Sequence, residues 1–188
     1  YANGILGNLL PVSAGIGLSF KHQGIKNGIV HIFIGDGVFG QGVLYETLNF
    51  VSLKKLKCLF IVENNKIAQT TKIESNLSGS IKERFNSFGI DNKELDLLNP
   101  LNFFSEINRI KQEIHDYEKP FGIIIDTERL SSHSKGDDTR SELEIKKIKE
   151  KDPILNLQKN IDKLELEKIK INTKEFIETL LKRNNLKI

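Results

Sequence analysis

Methionine and tryptophan are absent from this sequence, cysteine occurs once and proline four times in 188 residues. A single cysteine excludes an internal disulfide. Cys58 lies in the apolar run Cys58-Leu59-Phe60-Ile61-Val62, where it reads as a buried strand residue and not as a nucleophile. No apolar stretch reaches the roughly 18 residues needed to span a bilayer. Neither sign of charge dominates: 28 Lys and Arg face 25 Asp and Glu, for a net +3. That surplus is too small and too dispersed to indicate nucleic acid or an anionic membrane as a partner. Together these features predict a soluble, cytoplasmic protein with a reduced thiol. A chain that opens on Tyr1-Ala2-Asn3-Gly4 without an initiator is expected to lack part of its upstream sequence. No internal repeat or low-complexity tract is visible, and the length suits one well-buried core but scarcely two.

Along the chain, helix and strand patterns alternate. From Asn8 to His22 small and apolar residues recur at helical spacing, with Pro11 acceptable in the first turn. Gly24 and Gly28 flank a turn before Ile29-Val30-His31-Ile32-Phe33-Ile34, a nearly continuous apolar strand of the kind covered on both faces in a parallel sheet. A glycine-rich turn from Gly35 to Gly42 leads to a helix over about Val43 to Lys55, with Leu44, Leu48, Val51 and Leu56 on one stripe. Leu59 to Val62 forms the next strand, which makes a right-handed crossover unit. Asn64 to Ser80 reads as a polar loop at the carboxyl ends of the strands, followed by a helix around Ile81 to Phe85. A short strand near Phe88 to Ile90, a helix from about Phe103 to Tyr117 and a strand Phe121 to Asp126 repeat the alternation. After Ser131 a polar loop runs through Arg140, and charged helices follow, one of them starting with Asp152 as cap and Pro153 as first residue. The last carries an apolar stripe of Leu166, Ile169, Phe176, Leu180 and Leu181, read as an amphipathic helix covering the domain. The expected fold class is α/β: a mostly parallel sheet with helices on both faces over residues 1–140, and a helical tail over 141–188 packing on it.

Two triplets stand out, each directly after an apolar strand: Gly35-Asp36-Gly37 and Glu63-Asn64-Asn65, with Asp36 and Asn65 separated by 29 positions. Gly35, Gly37 and Gly40 also satisfy G-x-G-x-x-G, and Glu63 stands where a ribose-binding acid would end the next strand, which is nearly a dinucleotide fingerprint. Asp36 argues against that reading. A carboxylate between the first two glycines repels a pyrophosphate seated on the helix terminus unless a cation intervenes. A carboxylate and a carboxamide oxygen delivered by neighbouring strand ends are instead what magnesium bridging a diphosphate needs. The residues alone favour a metal-bridged diphosphate cofactor, thiamine diphosphate, and leave open a dinucleotide site or an ordinary α/β turn.

The segment from Gly35-Asp36-Gly37 to Asn64-Asn65 resembles the thiamine diphosphate motif, and its spacing runs without a gap against the alpha subunit of the decarboxylating component of 2-oxo acid dehydrogenases. Asn3-Gly4-Ile5-Leu6-Gly7 with Pro11 and Ala14-Gly15-Ile16 resembles that family's aminopyrimidine-holding segment. Gln41-Gly42 through Glu46 and Asn49 resemble its helix after the glycine turn. His133-Ser134 with Asp137-Asp138 and Arg140 resembles its histidine loop, and Lys151-Asp152-Pro153-Ile154 the start of its last helices. The resemblance implies thiamine diphosphate and Mg2+ as cofactors, with Asp36, the Asn65 side chain and the Ile67 carbonyl as metal ligands. It implies that Gly35, Gly37 and Val38 form the diphosphate turn, that Gly4 and Leu6 meet the aminopyrimidine through main-chain atoms, and that His133 stands near the reacting end. Without the resemblance, His133 reads as a loop histidine paired with Asp137 or Asp138, while His22, His31 and His115 read as structural. The implied reaction is decarboxylation of a 2-oxo acid with acyl transfer to a lipoyl-bearing acyltransferase component, in a heterotetramer whose beta-type subunit supplies the activating glutamate. Glu46 reads as a structural helix residue, so the chain alone is expected to be catalytically incomplete. The alternatives are a transketolase-like or acetoin-cleaving enzyme, or a non-catalytic cofactor- or partner-binding module. Two departures stand against the family pattern: Ile67 replaces a usual aromatic residue, and the histidine loop is shortened between Asp138 and Arg140.

Overall fold

The computed structural model describes residues 1–97 and 100–184, the side chains of 100 and 101 excepted. In chain order the elements are α1 (Leu9–His22), β1 (Val30–Gly35), a 3-10 turn (Asp36–Gly40), α2 (Gly42–Leu53) and β2 (Cys58–Asn64). Two short strands, β3 (Ile67–Ala68) and β4 (Thr71–Lys72), are followed by a second 3-10 turn (Ile73–Ser75) and α3 (Ile81–Ser87). Then come β5 (Asp91–Asp96), α4 (Pro100–Tyr117), β6 (Phe121–Asp126), α5 (Glu142–Glu150), α6 (Pro153–Gln158) and α7 (Lys163–Arg183). Four strands form a parallel sheet in the order β1-β2-β6-β5. This is the α/β architecture that the apolar runs imply.

The sheet is buried from two sides by two separate apolar layers. Cys58, Phe60 and Val62 of β2 point into one layer with α1, α2 and α3, where Leu44, Leu48 and Val51 are wholly buried. Leu59 and Ile61 point into the other with Phe121, Ile123 and Ile125 of β6, under α4. α4 binds there through Phe103, Ile107, Ile110 and Ile114, a spacing that keeps one helical face apolar. Phe85 closes the first layer, edge-on to Phe39 and tilted against Phe60.

Three local expectations differ from what the chain does. β1 is covered on one face only: Val30, Ile32 and Ile34 are buried, whereas His31 is exposed and Phe33 is 64% exposed. It is an edge strand, and α4 packs mainly over β2 and β5. The strand expected at Phe88 to Ile90 is instead β5, Asp91–Asp96, because Phe88 caps α3 and Gly89 turns the chain with φ 64°. β5 has no apolar pattern beyond buried Leu95. As an edge strand it tolerates charge, and Lys119 pairs with Asp91 and Lys93 with Glu106 on its flanks. The polar stretch after β2 is not a plain loop, since it contains the β3-β4 hairpin and the second 3-10 turn.

Helix starts follow local chemistry. Ser80 with Glu83 and Ser141 with Glu144 form capping boxes on α3 and α5, and Asp152 caps α6 with Pro153 in its first turn. None of α5, α6 and α7 buries a residue, and Phe176 on the α7 stripe is 63% exposed. Among the described residues no helix is long and apolar enough to cross a membrane.

Gly122 in β6 makes room for Phe85: a Cβ there would lie 2.9 Å from the ring. The ring has no space to retreat, being fully buried against Phe39 and Phe60. Gly122→Ala is therefore expected to destabilise the fold by about 1–3 kcal/mol through overpacking. Urea unfolding followed by circular dichroism checks this, and an unchanged midpoint would contradict the packing described.

Candidate functional site

Parallel register brings the two triplets together. Gly35 pairs with Glu63, Glu63 with Ile125 and Asn64 with Asp126, so Asp36 and Asn65 leave neighbouring strands at the same, carboxyl, edge of the sheet. This edge is where open α/β sheets bind ligands.

Asp36 opens the first 3-10 turn and is 3% exposed. Its Oδ2 is buried and has no hydrogen-bond partner. Burial pushes its carboxyl above the ordinary value, against the opposing pull of the Gly37 and Asp36 backbone N–H groups and the Arg129 charge. A buried anionic oxygen without a donor is costly, and such groups are normally paired or coordinated to a cation. Among the described residues no three His, Cys, Asp or Glu cluster to hold a metal. A cation here would draw on one carboxylate, carboxamide and carbonyl oxygens, and the oxygens of its ligand, as magnesium at phosphate sites does.

The turn after β2 supplies those neutral oxygens. Asn65 Oδ1 accepts from the Ile67 N–H at 3.0 Å, and Lys66 between them takes a left-handed φ of 63°. Asn64 Nδ2 donates to Asp126 Oδ1 at 2.8 Å, which leaves its own Oδ1 buried and without a partner. The hairpin lies directly on the glycine turn, and the glycines permit this. A Cβ on Gly37 would come within 2.8 Å of the Ala68 Cβ, and one on Gly40 would strike the Asn76 side chain. Asn76 Nδ2 donates to the Gly37 carbonyl at 3.2 Å. Two of the three fingerprint glycines thus make room for protein. Val38 is 1% exposed and its side chain belongs to the core beneath the turn.

The amino-terminal bend reaches the same end of β1. Leu6 Cδ1 lies 3.8 Å from where a Gly35 Cβ would stand, and Leu6 is half exposed. Gly7, with φ 99°, leaves space occupied by the Gln41 side chain. Gly4 is exposed with open space around it.

The loop after β6 is held by two arginines. Arg140 donates to the Arg129 carbonyl (2.6 Å), the Ser131 carbonyl (3.0 Å) and Asp138, whose carboxyl it pushes down to about 2. Arg129 Nη1 donates to the Gln69 carbonyl at 2.8 Å, which ties the loop to the hairpin, while its buried Nε has no partner. The Arg129 charge acts on Asp36, Asp137 and Asp138 alike. Sequence reasoning missed Arg129. The available signal was a cation three residues beyond the end of a strand and four before His133. His133 is half exposed, with Nδ1 3.5 Å from Asp137 Oδ2, and Asp137 is itself fixed by the Ser134 N–H and hydroxyl. His22, His31 and His115 lie on α1, β1 and α4, away from this edge. Cys58 is wholly buried, its thiol pushed up to about 12, and Glu46 is exposed on α2.

Residues 1–181 match the model of the family described as Dehydrogenase E1 component. The chain is 28% identical to the pyruvate dehydrogenase E1 component subunit alpha of Rickettsia felis, over 96% of this chain and 58% of that protein. It is 31% identical to the corresponding subunit of Zymomonas mobilis, over 85% of this chain and 46% of that one. With the somatic, mitochondrial form of Pan troglodytes it shares 42% identity over 72 residues, 38% of this chain and 18% of the relative. The chain spans about half the length of the curated relatives it matches most extensively.

The raised Asp36 carboxyl fixes the sign of a pH effect. A group whose folded value lies above its unfolded one binds protons more readily in the folded chain, so the contribution of Asp36 to metal-free stability is fullest below the ordinary 3.8 and is lost as pH rises through the folded value. Asp36→Asn removes that loss. In EDTA at pH 7 the variant is expected to melt higher than the wild type, by about 2–4 °C for each kcal/mol relieved. The gap closes toward pH 3, and a gap independent of pH would show that burial of the charge is not its cause.

Proposed function

The chain belongs to the dehydrogenase E1 component family, and from that premise we propose that it forms the diphosphate- and metal-binding part, of alpha-subunit type, of a thiamine diphosphate-dependent 2-oxo acid dehydrogenase. The observation that carries the reading is Asp36, a buried carboxylate with one unpartnered oxygen at a strand's carboxyl end beside the Asn64-Asn65 turn. In this reading the Asp36 carboxylate, Asn65 Oδ1 and the Ile67 carbonyl hold Mg2+. Gly35, Gly37 and Val38 present main chain to the diphosphate, and Gly4 and Leu6 present main chain to the aminopyrimidine.

Bound thiamine diphosphate supplies the electron sink for loss of carbon dioxide from the 2-oxo acid. This chain's residues position and shield. Asn65 is oriented by the Ile67 N–H, and Gly37 lets the hairpin seat against the turn. Val38 and Phe39, each 1% exposed, exclude water beneath the diphosphate turn. Arg129 balances the charge of Asp36 and anchors the histidine loop. Asp137 faces Nδ1 of His133, which leaves Nε2 to give or take a proton at the acyl acceptor. The activating glutamate comes from a beta-type partner, since Glu46 projects from α2 into solvent. A lipoyl-bearing acyltransferase component receives the acyl group. The division into a cofactor-binding part, 1–140, and a helical tail, 141–188, docked on it belongs to the same reading, supported by the Lys151–Glu128 ion pair at 3.1 Å.

The test is calorimetry of thiamine diphosphate on the full-length protein assembled with its beta-type partner. Binding is expected with magnesium, to weaken by at least about a hundredfold in EDTA, and to be lost in Asp36→Ala, whose site has one fewer hard oxygen ligand. Equal affinity in EDTA would remove the metal from the account.

For His133, the expected signature is a split between two assays of one preparation. His133→Ala should slow acyl transfer to a lipoyl domain by about a hundredfold and slow decarboxylation with an artificial electron acceptor far less. Equal losses would reduce His133 to a loop-ordering residue, and no loss would leave it only as the partner of Asp137.

A further inference from the structure

At the opposite end of the sheet, where β1 and β2 begin, a crevice of about 300 Å³ is lined by four lysines and one carboxylate. The Val30 N–H donates to the Lys57 carbonyl there, which joins the two strand starts at the end remote from Asp36. Lys21 enters from the last turn of α1, Lys26 from the α1–β1 turn, Lys55 and Lys57 from the α2–β2 turn, and Glu118 from the α4–β6 turn. Phe20 and Ile25 provide an apolar wall, and the ring of Phe20 fills the space that a Gly28 side chain would need.

The four ammonium groups differ in what they already do. Lys21 donates to the Lys54 carbonyl at 2.8 Å, and Lys57 donates to the Lys26 carbonyl and pairs with Glu118 at 3.7 Å. These two neutralise helix-end and turn carbonyls, an ordinary structural duty. The ammonium groups of Lys26 and Lys55 have no hydrogen bond or ion pair among the described residues. Lys55 also occupies a left-handed position, φ 50°, just after α2, where glycine is the unstrained choice. The lysine held there joins Lys21, Lys26 and Lys57 against the single Glu118, so the lining carries a surplus of three positive charges.

We propose that this crevice is an anion site, separate from the cofactor edge, for a compact polyanion of the phosphomonoester or polycarboxylate class. Lysines act as point charges and not as planar forks, which suits a small ligand carrying two or three negative charges over a bidentate carboxylate partner. Lys26 and Lys55 contact it directly, Lys21 and Lys57 hold the turns that present them, and Phe20 and Ile25 meet its carbon skeleton. The volume is at the lower end of small-molecule sites, which suits a ligand of small-metabolite size.

The experiment is calorimetry on the full-length protein with its beta-type partner, in metal-free buffer at about 0.15 M salt, where long-range charge effects are screened. Citrate and glycerol 2-phosphate are titrated separately, and the tighter of the two assigns the class. Saturable binding is expected, weakened about tenfold or more in Lys26→Gln/Lys55→Asn and unaffected by saturating thiamine diphosphate with magnesium. Asn tolerates the left-handed backbone, so an unchanged melting midpoint without ligand verifies the fold, and Lys26→Gln alone should give part of the loss. Lys146→Gln/Lys147→Gln on α5 removes the same charge elsewhere and should change nothing. No saturable binding of either anion overturns the proposal. So does equal affinity in the crevice variant, an equal loss in the α5 variant, or displacement by thiamine diphosphate, which would place the anions in the cofactor site instead.

Discussion

Asp36 carries its charge where the protein gives it too little: nearby backbone N–H groups and Arg129 favour the anion, yet Oδ2 is buried and meets no donor at all. That imbalance organises what surrounds it. Parallel pairing of β1 and β2 places the Asn64-Asn65 turn beside it, the bare α-carbon of Gly37 lets Ala68 close over it, and Arg129 reaches back from the end of β6 with a compensating charge. A buried carboxylate beside neutral turn oxygens, walled closely and only partly offset by a distant guanidinium, is an arrangement that a divalent cation stabilises and a bare diphosphate does not. The glycine pattern takes on a different meaning in this light. Gly37 and Gly40 serve protein packing, since neighbouring residues occupy the space where their side chains would stand. They admit Ala68 of the β3-β4 hairpin and Asn76, and so seat the segment after β2 on the glycine turn.

What the sequence disclosed and what it concealed divide along the same physical line. Residues whose environment is set by burial were legible: the stripe of Leu44, Leu48 and Val51, the apolar strands β2 and β6, and the Asp152-Pro153 helix start all act through local pattern. Asp36 stood out because a carboxylate between glycines after an apolar strand disfavours a bare pyrophosphate on that turn. Edges were not legible. β5 is built from Asp, Asn, Lys and Glu because an edge strand needs only Leu95 inward, and no period-two apolar pattern marks it. β1 looked doubly covered because Phe33 is apolar, yet whether a helix lies over that face depends on where α4 docks and not on β1 itself. Arg129 was hidden for a third reason, since its importance lies in contacts with Gln69, Asp36 and Asp137, which are distant in sequence or carry no motif.

The two ends of the sheet carry opposite electrostatics. The carboxyl edge concentrates Asp36, Asp126, Asp137 and Asp138, partly balanced by Arg129 and Arg140. The amino edge gathers Lys21, Lys26, Lys55 and Lys57 around a single glutamate. α1 spans the distance between them, from the bend at Leu6 and Gly7 to the lysine crevice at its last turn, so the helix that supports the cofactor edge also forms a wall of the basic one. Sequence near-neutrality, +3 over 188 residues, thus covers a cluster of lysines at one end of the sheet and of carboxylates at the other.

The central claim is that Asp36 and the turn after β2 hold one divalent cation against a diphosphate. Anomalous diffraction from crystals of the full-length assembly grown with manganese and thiamine diphosphate measures this most directly, because manganese takes magnesium's oxygen ligands and scatters anomalously. The account predicts a single strong peak at the carboxyl edge, about 2.1 Å from Asp36 Oδ2, from Asn65 Oδ1 and from the Ile67 carbonyl. A peak that leaves Asp36 without a metal contact, or a diphosphate seated on the turn with no metal between, would contradict it.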